Sequence, residues 1–326
     1  MKNPHVSLRK ARRATKVLIS DTRRSSQFLL LACAFFLSFP MAHAYDQKYS
    51  PSMEDLNRGI AINPDAADAY YDRALLWMKQ GDLTRAIADF SQTIRINLQD
   101  TSAYFGRANA YARQNNFSQA IADYDRLIGM NPEDASIYYN RGLTYAERGN
   151  TAQAIADFTQ AIKINPDYAQ AYHNRGLVYA NMSKPNGAKE IGPFMTQAML
   201  DLSKSIELAP DLAEAYYNRG IIDEKQGRLI DAINDFSKAI QLNPDYAESY
   251  ANRGEVYVQQ DDLPQAMDDF NKAIALNPNI AQAYNNRAIL YYQLKQYSKA
   301  WEDLQKAVAL GYTVDPGFIA AVKKVR

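Results

Sequence analysis

A repeat of about 34 residues runs through most of this 326-residue chain, and it restricts the possible folds more than any other feature. The repeats extend from Ala67 to Leu310. One position holds a tyrosine in every copy: Tyr70, Tyr104, Tyr138, Tyr172, Tyr216, Tyr250 and Tyr284. Another position holds an alanine: Ala86, Ala120, Ala154, Ala198, Ala232, Ala266 and Ala300. A period of this length indicates a solenoid of stacked supersecondary units, each packed on its neighbours.

Every copy has the pattern of two helices separated by a turn. In the third copy, core-type residues recur at spacings of four and three, first at Tyr138, Gly142 and Tyr145, then at Ala154, Phe158 and Ala161. This spacing places each trio on one face of a helix. Gly149 and the Asn-Pro-Asp run at 165–167 are signals that end the first and the second helix. The small residues predict a close crossing of the two helices.

On these residues the repeat resembles the tetratricopeptide repeat (TPR) family, over about three quarters of the chain. The resemblance implies an all-α fold, a right-handed superhelix built as an α-solenoid of helix-turn-helix repeats. We expect a partial repeat with a leading helix at 52–66, seven repeats at 67–310 and a C-terminal capping helix at 311–326. An insertion at 183–197 lies in the fourth repeat. In this family the first helices of the repeats line a concave groove that binds proteins or peptides.

The N-terminal region has the composition of an export signal. Residues 1–44 contain eight Lys or Arg and one acidic residue, and the apolar run 28–39 precedes Ala42-His43-Ala44. A charged region, a short apolar core and a small-x-small site are typical of a secretory signal peptide. We predict cleavage after Ala44, a short linker at 45–51, and export to a bacterial periplasm or out of the cell. The alternative is an uncleaved N-terminal anchor, the one case in which a membrane would be a partner.

Composition argues against several classes of function. Without residues 1–44, the totals of 37 basic and 36 acidic residues fall to 29 and 35, and a mildly acidic body argues against nucleic acid. Cys33, the only cysteine, lies in the apolar run, and His173 is the only histidine after Ala44. No metal or thiol site is therefore expected. Since no phosphate-binding glycine loop or G-x-S-x-G motif occurs either, we expect no catalysis, no cofactor and no small-molecule substrate.

The predicted first helices carry a second periodic stripe. One position holds asparagine in five consecutive repeats: Asn140, Asn174, Asn218, Asn252 and Asn286. The preceding position is Tyr139, His173 or Tyr217 in three of them, and Ile221 lies four residues beyond Tyr217. The row resembles the asparagine ladder in the TPR superhelix of O-GlcNAc transferase, where amides hold an extended peptide. The resemblance predicts a peptide-binding groove at these residues; the alternative is that the amides only brace adjacent helices.

Arginine and aspartate recur as well, and their spacing predicts a ladder of ion pairs. The arginines are Arg73, Arg107, Arg141, Arg175, Arg219, Arg253 and Arg287, where the TPR pattern commonly has leucine. The aspartates are Asp55, Asp89, Asp123, Asp157, Asp201, Asp235, Asp269 and Asp303. From Asp55 onward, each aspartate lies 18 residues before the arginine of the next repeat, whereas the spacing within the fourth repeat departs from the others. We therefore predict pairs between neighbouring repeats, such as Asp157–Arg175; the alternative is that the arginines bind a ligand.

Three features depart from the repeat: the insertion at 183–197, Leu127 in place of a small residue, and Asp223 in place of an aromatic residue. A buried carboxylate in an aromatic position requires a partner or access to water. The functional prediction is a non-catalytic scaffold or adaptor that binds an extended peptide or partner protein in its concave groove after export. The alternative is a structural spacer or self-associating assembly factor that uses its ends or its convex face.

Overall fold

The computed structural model describes residues 51–182 and 192–326, which form helices joined by short turns. The helices in this part of the chain are α1 (Met53–Ile62), α2 (Ala67–Gln80), α3 (Leu83–Ile96), α4 (Thr101–Arg113), α5 (Phe117–Met130), α6 (Ala135–Glu147), α7 (Thr151–Ile164), α8 (Ala169–Met182), α9 (Pro193–Leu208), α10 (Ala213–Lys225), α11 (Leu229–Leu242), α12 (Ala247–Gln260), α13 (Leu263–Leu276), α14 (Ala281–Gln293), α15 (Tyr297–Ala309) and α16 (Pro316–Val325). The predicted all-α repeat fold is confirmed.

The chain divides into two compact units. The described residues of the N-terminal unit are 51–178, and those of the C-terminal unit are 179–182 and 192–326. Within each unit a first helix packs on its own second helix and on the second helix of the preceding repeat. First helices of successive repeats also touch, α2 to α4 to α6 in one unit and α10 to α12 to α14 in the other. We call each of these two surfaces the first-helix face of its unit.

A glycine allows the two helices of a repeat to cross closely. A Cβ atom on Gly142 would lie 2.9 Å from Cε1 of Phe158, and one on Gly254 would lie 2.7 Å from Cε1 of Phe270. Both phenylalanines are fully buried. A phenylalanine on the second helix therefore fills the space that the absent side chain leaves, as the spacing of small and aromatic residues predicts.

Turn residues end the helices for identifiable reasons. Gly149 has φ of +83°, a left-handed conformation that glycine adopts without steric cost. Asn165 ends α7 in an extended conformation, and its Oδ1 accepts the backbone N–H of Asp167 at 3.1 Å. Such local bonds compete with the helix and are the reason that Asn-Pro-Asp stops it.

The arginine and aspartate ladder exists, but the predicted partners are wrong. Arg141 donates from Nε and Nη2 to both carboxylate oxygens of Asp157, at 2.8 and 2.7 Å, so the pair lies within one repeat. The same bidentate pair, with partners 16 residues apart, occurs at Arg73–Asp89, Arg107–Asp123, Arg219–Asp235, Arg253–Asp269 and Arg287–Asp303. The two helices of a repeat run side by side, and this brings Asp157 opposite Arg141 instead of Arg175.

The link between repeats uses the third arginine nitrogen. Nη1 of Arg253 donates to Ser237 at 2.9 Å, and Nη1 of Arg287 donates to Asn271 at 2.8 Å, each on the second helix of the preceding repeat. Asp55, whose presence in the partial repeat suggested pairing to the next repeat, has a local role. It accepts the backbone N–H of Ser52 at 3.1 Å in a capping box that starts α1.

The departures from the repeat have different structural outcomes. Of the insertion, 193–197 form the beginning of α9, and 183–191 lie outside the described residues, as do the predicted signal peptide and most of the linker. Leu127 is buried in the N-terminal core. Asp223 is buried, and its Oδ1 accepts Nε of Arg228 at 2.6 Å, so the carboxylate has found a partner.

Candidate peptide-binding face

The aromatic residues of the predicted groove are anchored on the second helices. The rings of Tyr139 and Phe158 have centroids 5.8 Å apart, and those of Tyr217 and Phe236 are 5.9 Å apart. Both tyrosines are half-buried. Ile221 lies beside Tyr217 and packs on the cluster that contains Phe236. The core thus fixes one side of each ring and leaves the other at the surface.

Each of these tyrosines forms a triad with the next repeat. The Tyr139 ring lies 4.8 Å from Tyr168, and its hydroxyl accepts Nδ2 of Asn174 at 2.9 Å. The Tyr217 ring lies 4.7 Å from Tyr246, and its hydroxyl accepts Nδ2 of Asn252 at 3.1 Å. Sequence reasoning missed Tyr168 and Tyr246, although both directly follow an Asn-Pro-Asp run and would have been found by comparing the second turns.

The asparagine position lies mostly inside the stack of repeats. Asn140 and Asn174 are 8% exposed, Asn218 is 5% exposed and Asn286 is fully buried. Nδ2 of Asn140 donates to the carbonyl of Ser136 at 2.7 Å. These contacts are those that the bracing alternative expects, and peptide binding by the amides stays a prediction. His173, on α8, is half-buried.

Glutamates gather around the triad of the C-terminal unit. Burial raises the pKa of the Tyr217 phenol, and the negative charges of Glu248, Glu255 and Glu224 raise it further. Burial likewise raises the pKa of Tyr246, to which the charges of Glu214 and Glu248 contribute. The pKa of Tyr168, in the N-terminal unit, is raised to about 12, mainly by burial.

Amide donors hold two of these glutamates in place. Nε2 of Gln259 donates to Oε1 of Glu224 at 2.6 Å, and Nδ2 of Asn286 donates to Oε1 of Glu255 at 2.5 Å. Gln282 donates to the same oxygen of Glu255. Glu255, which is 5% exposed, occupies the position of Leu143 and Ile221, so its carboxylate was not part of the predicted site.

The arrangement is suited to contact and offers little for catalysis. Among residues 51–182 and 192–326, no three His, Cys, Asp or Glu side chains are placed to hold a metal ion. In the same residues no helix is long and apolar enough to cross a membrane. What the C-terminal face does present is a row of anchored rings and carboxylates.

Solved structures share this fold. A tetratricopeptide repeat protein from Parabacteroides merdae is 21% identical, with a TM-score of 0.57, covering 79% of this chain and 98% of its own. The Cut9–Hcn1 hetero-tetramer of the APC/C matches with a TM-score of 0.59 at 18% identity, covering 83% of this chain and 51% of the other. PilF of Pseudomonas aeruginosa matches with a TM-score of 0.57 at 17% identity, covering 68% and 96%. At these identities the likeness shows the fold alone.

Family models give the sequence assignment. Among proteins of curated function, none matches the sequence. Models described as tetratricopeptide repeat match residues 43–99, 108–173, 158–190 and 254–316, and one described as TPR repeat matches 224–261. Proteins with this repeat generally act as non-catalytic scaffolds that mediate protein–protein interactions. The chain belongs to the tetratricopeptide repeat family.

Proposed function

We propose that the protein is a non-catalytic adaptor whose first-helix face in the C-terminal unit binds an extended peptide segment carrying lysine or arginine. The observation that carries this proposal is the group of four glutamates, Glu214, Glu224, Glu248 and Glu255, around Tyr217 and Tyr246. A cationic side chain is attracted both by the carboxylates and by an aromatic ring face. Half-buried tyrosines already held by the core lose little freedom when they bind, which favours affinity.

The second triad of the chain supplies an internal control. Shifting the numbering by 78 residues superimposes Tyr217, Tyr246 and Asn252 on Tyr139, Tyr168 and Asn174. The same shift takes the four glutamates to Ser136, Ala146, Gln170 and Leu177, none of which is charged. The two triads therefore differ in charge while sharing their ring and amide contacts.

The experiment compares the full chain with a variant that gives the C-terminal face the residues of the N-terminal one, E214S/E224A/E248Q. Glu255 is kept because it is buried and bonded to Gln282 and Asn286. Each protein selects from a random dodecapeptide library at about 50 mM and about 300 mM salt. We expect the wild type to enrich lysine and arginine, and the variant to bind the enriched peptides about 10–100-fold more weakly.

A matched control removes three exposed charges elsewhere, in the variant D65N/E133Q/E302Q. It should bind the selected peptides with wild-type affinity. Enrichment of acidic or uncharged peptides by the wild type, or equal binding by wild type and E214S/E224A/E248Q, would contradict the proposal. Weakening by the control variant as large as that by the face variant would show a non-specific charge effect and contradict it as well.

Action after export is part of the proposal and rests on the sequence of residues 1–44. Ala42-His43-Ala44 follows a basic region and a short apolar run. Mass spectrometry of the protein from its native source should show Tyr45 at the N-terminus. An intact Met1 in a cytosolic fraction would contradict export.

A further inference from the structure

A cleft of ≈ 530 Å³ opens in the C-terminal unit where Asp223 replaces the aromatic residue of the other repeats. It is lined by α9, α10 and the start of α11, and so lies among second helices, away from the face proposed above. The residues that matter for its chemistry are Met199, Arg219, Asp223, Gln226 and Arg228.

Regular repeats show what normally fills this position. Each ladder guanidinium lies over the tyrosine three residues before it, as Arg253 does over Tyr250 at 5.6 Å. A second ring covers the guanidinium from the following turn: Tyr145 lies 5.9 Å from Arg141, Tyr257 5.8 Å from Arg253 and Tyr291 5.6 Å from Arg287. The ladder arginine is thus sandwiched between two rings.

In the fifth repeat the first ring is kept and the second is replaced. Tyr216 lies 5.8 Å from the Arg219 guanidinium, and Asp223 stands where Tyr257 stands one repeat later. Its carboxylate is bonded to Arg228, which itself replaces the Asp262 that caps the next second helix. The two substitutions compensate each other in charge and leave the place of one ring unfilled.

The charged groups around the cleft have little capacity for an ion. Arg219 gives Nε and Nη2 to Asp235 at 2.8 Å each and Nη1 to Ser203 at 3.3 Å. Asp223 is committed to Arg228. The Gln226 amide is different: its Nε2 and Oε1 are both buried, and neither has a hydrogen-bond partner in the part of the chain that the structure describes. A buried amide without partners lacks hydrogen bonds that a ligand could supply.

We propose that this cleft is a docking site for a tyrosine side chain of a partner protein. The ring takes the place of the missing aromatic residue against Arg219 and Met199, as Tyr257 does against Arg253. The phenol hydroxyl is at once a donor and an acceptor, and so it can satisfy the amide of Gln226. A carboxylate or an ammonium group would find its counter-charges already paired.

The probe for this site is p-cresol, which is the side chain of tyrosine, titrated into the full chain and followed by the NMR signals of Arg219 Nε and the Gln226 side-chain amide. We expect saturable shifts with a Kd on the order of 1–20 mM, as befits a ligand of this size. The ether 4-methylanisole keeps the ring and loses the donor, and it should bind about 3–10-fold more weakly. The absence of a saturable shift at Arg219 or Gln226 would overturn the proposal.

Two variants complete the test. D223Y restores the regular residue, so the chain's own ring should fill the cleft and weaken p-cresol binding at least about 10-fold. Q226L keeps the cleft but removes the amide, and it should abolish the preference for p-cresol over 4-methylanisole. Unchanged p-cresol binding in a folded D223Y, or an undiminished preference in Q226L, would overturn the proposed docking. Q226L decides the matter alone if D223Y does not fold.

Discussion

The two first-helix faces have the same contacts and different charges. In both, a tyrosine packs on a second-helix phenylalanine, stacks on a tyrosine of the next turn at 4.7–4.8 Å, and accepts a bond from an asparagine of the next repeat. Around these contacts the C-terminal face has four glutamates where the N-terminal face has Ser136, Ala146, Gln170 and Leu177. Residues that repeat hold the stack together, whereas residues that do not repeat are free to select a partner.

If this division is right, the largest effects on stability come from periodic residues and are equal in the two units. Asp157→Asn and Asp269→Asn each leave a guanidinium without its bidentate acceptor. The arginine and aspartate side chains of these pairs are 18% and 8% exposed at Arg141–Asp157, and 18% and 6% at Arg253–Asp269. Breaking such a pair should cost about 3–5 kcal/mol in either unit.

Hydrogen exchange on each unit measures these losses, because damage in a solenoid stays largely local. A double-mutant cycle then identifies the partner of Asp157. Coupling should appear with Arg141 and vanish with Arg175. Strong coupling to Arg175 would contradict the pairing within one repeat.

The ladder also shows how far the sequence alone could lead. The helices, their glycine turns and the buried phenylalanines follow from local spacing, and each was predictable. The ion-pair partner was not, because an 18-residue spacing between repeats and a 16-residue spacing within them are both regular. Only the side-by-side packing of two helices selects Asp157 for Arg141. Likewise, the spacing of Asn174 indicates its helix face but not that its amide meets the hydroxyl of Tyr139.

Close helix crossings should be the next most sensitive feature. Gly142→Ala and Gly254→Ala place a Cβ 2.9 and 2.7 Å from a buried phenylalanine ring. Overpacking of this kind should destabilise each unit by about 1–3 kcal/mol, more at Gly254, in urea unfolding. Gly129→Ala is the control, because a Cβ there meets nothing within 4 Å, and it should stabilise by about 0.5–1 kcal/mol. Equal responses at the three glycines would contradict the packing argument.

A single glutamate of the N-terminal unit should give that unit its own pH dependence. Burial raises the pKa of Glu147, in the last turn of α6, to about 7. The native state therefore keeps a proton that the unfolded chain releases near pH 4.3, and the native state is destabilised as pH rises toward about 7. Because the side chain is partly exposed, we expect a loss of about 1–2 kcal/mol between pH 5 and pH 8.

Glu147→Gln should remove this loss from the N-terminal unit and leave the C-terminal unit as it was. Urea unfolding of wild type and variant at both pH values measures the difference, with Glu133→Gln as the exposed control. A wild type whose stability relative to Glu147→Gln rises with pH would reverse the sign and contradict the assignment.

The smallest expected effect distinguishes the two triads themselves. Tyr139→Phe and Tyr217→Phe each remove one hydroxyl and keep the ring on its phenylalanine. After Tyr139→Phe, Nδ2 of Asn174 still donates to the carbonyl of Gln170 at 3.1 Å, so the loss should be only about 0.5 kcal/mol. The described bond of Asn252 Nδ2 is the one to Tyr217, so Tyr217→Phe should cost about 1–1.5 kcal/mol. Thermal unfolding of the two variants measures the order, and a larger loss from Tyr139→Phe would show that the two asparagines are not braced as these contacts imply.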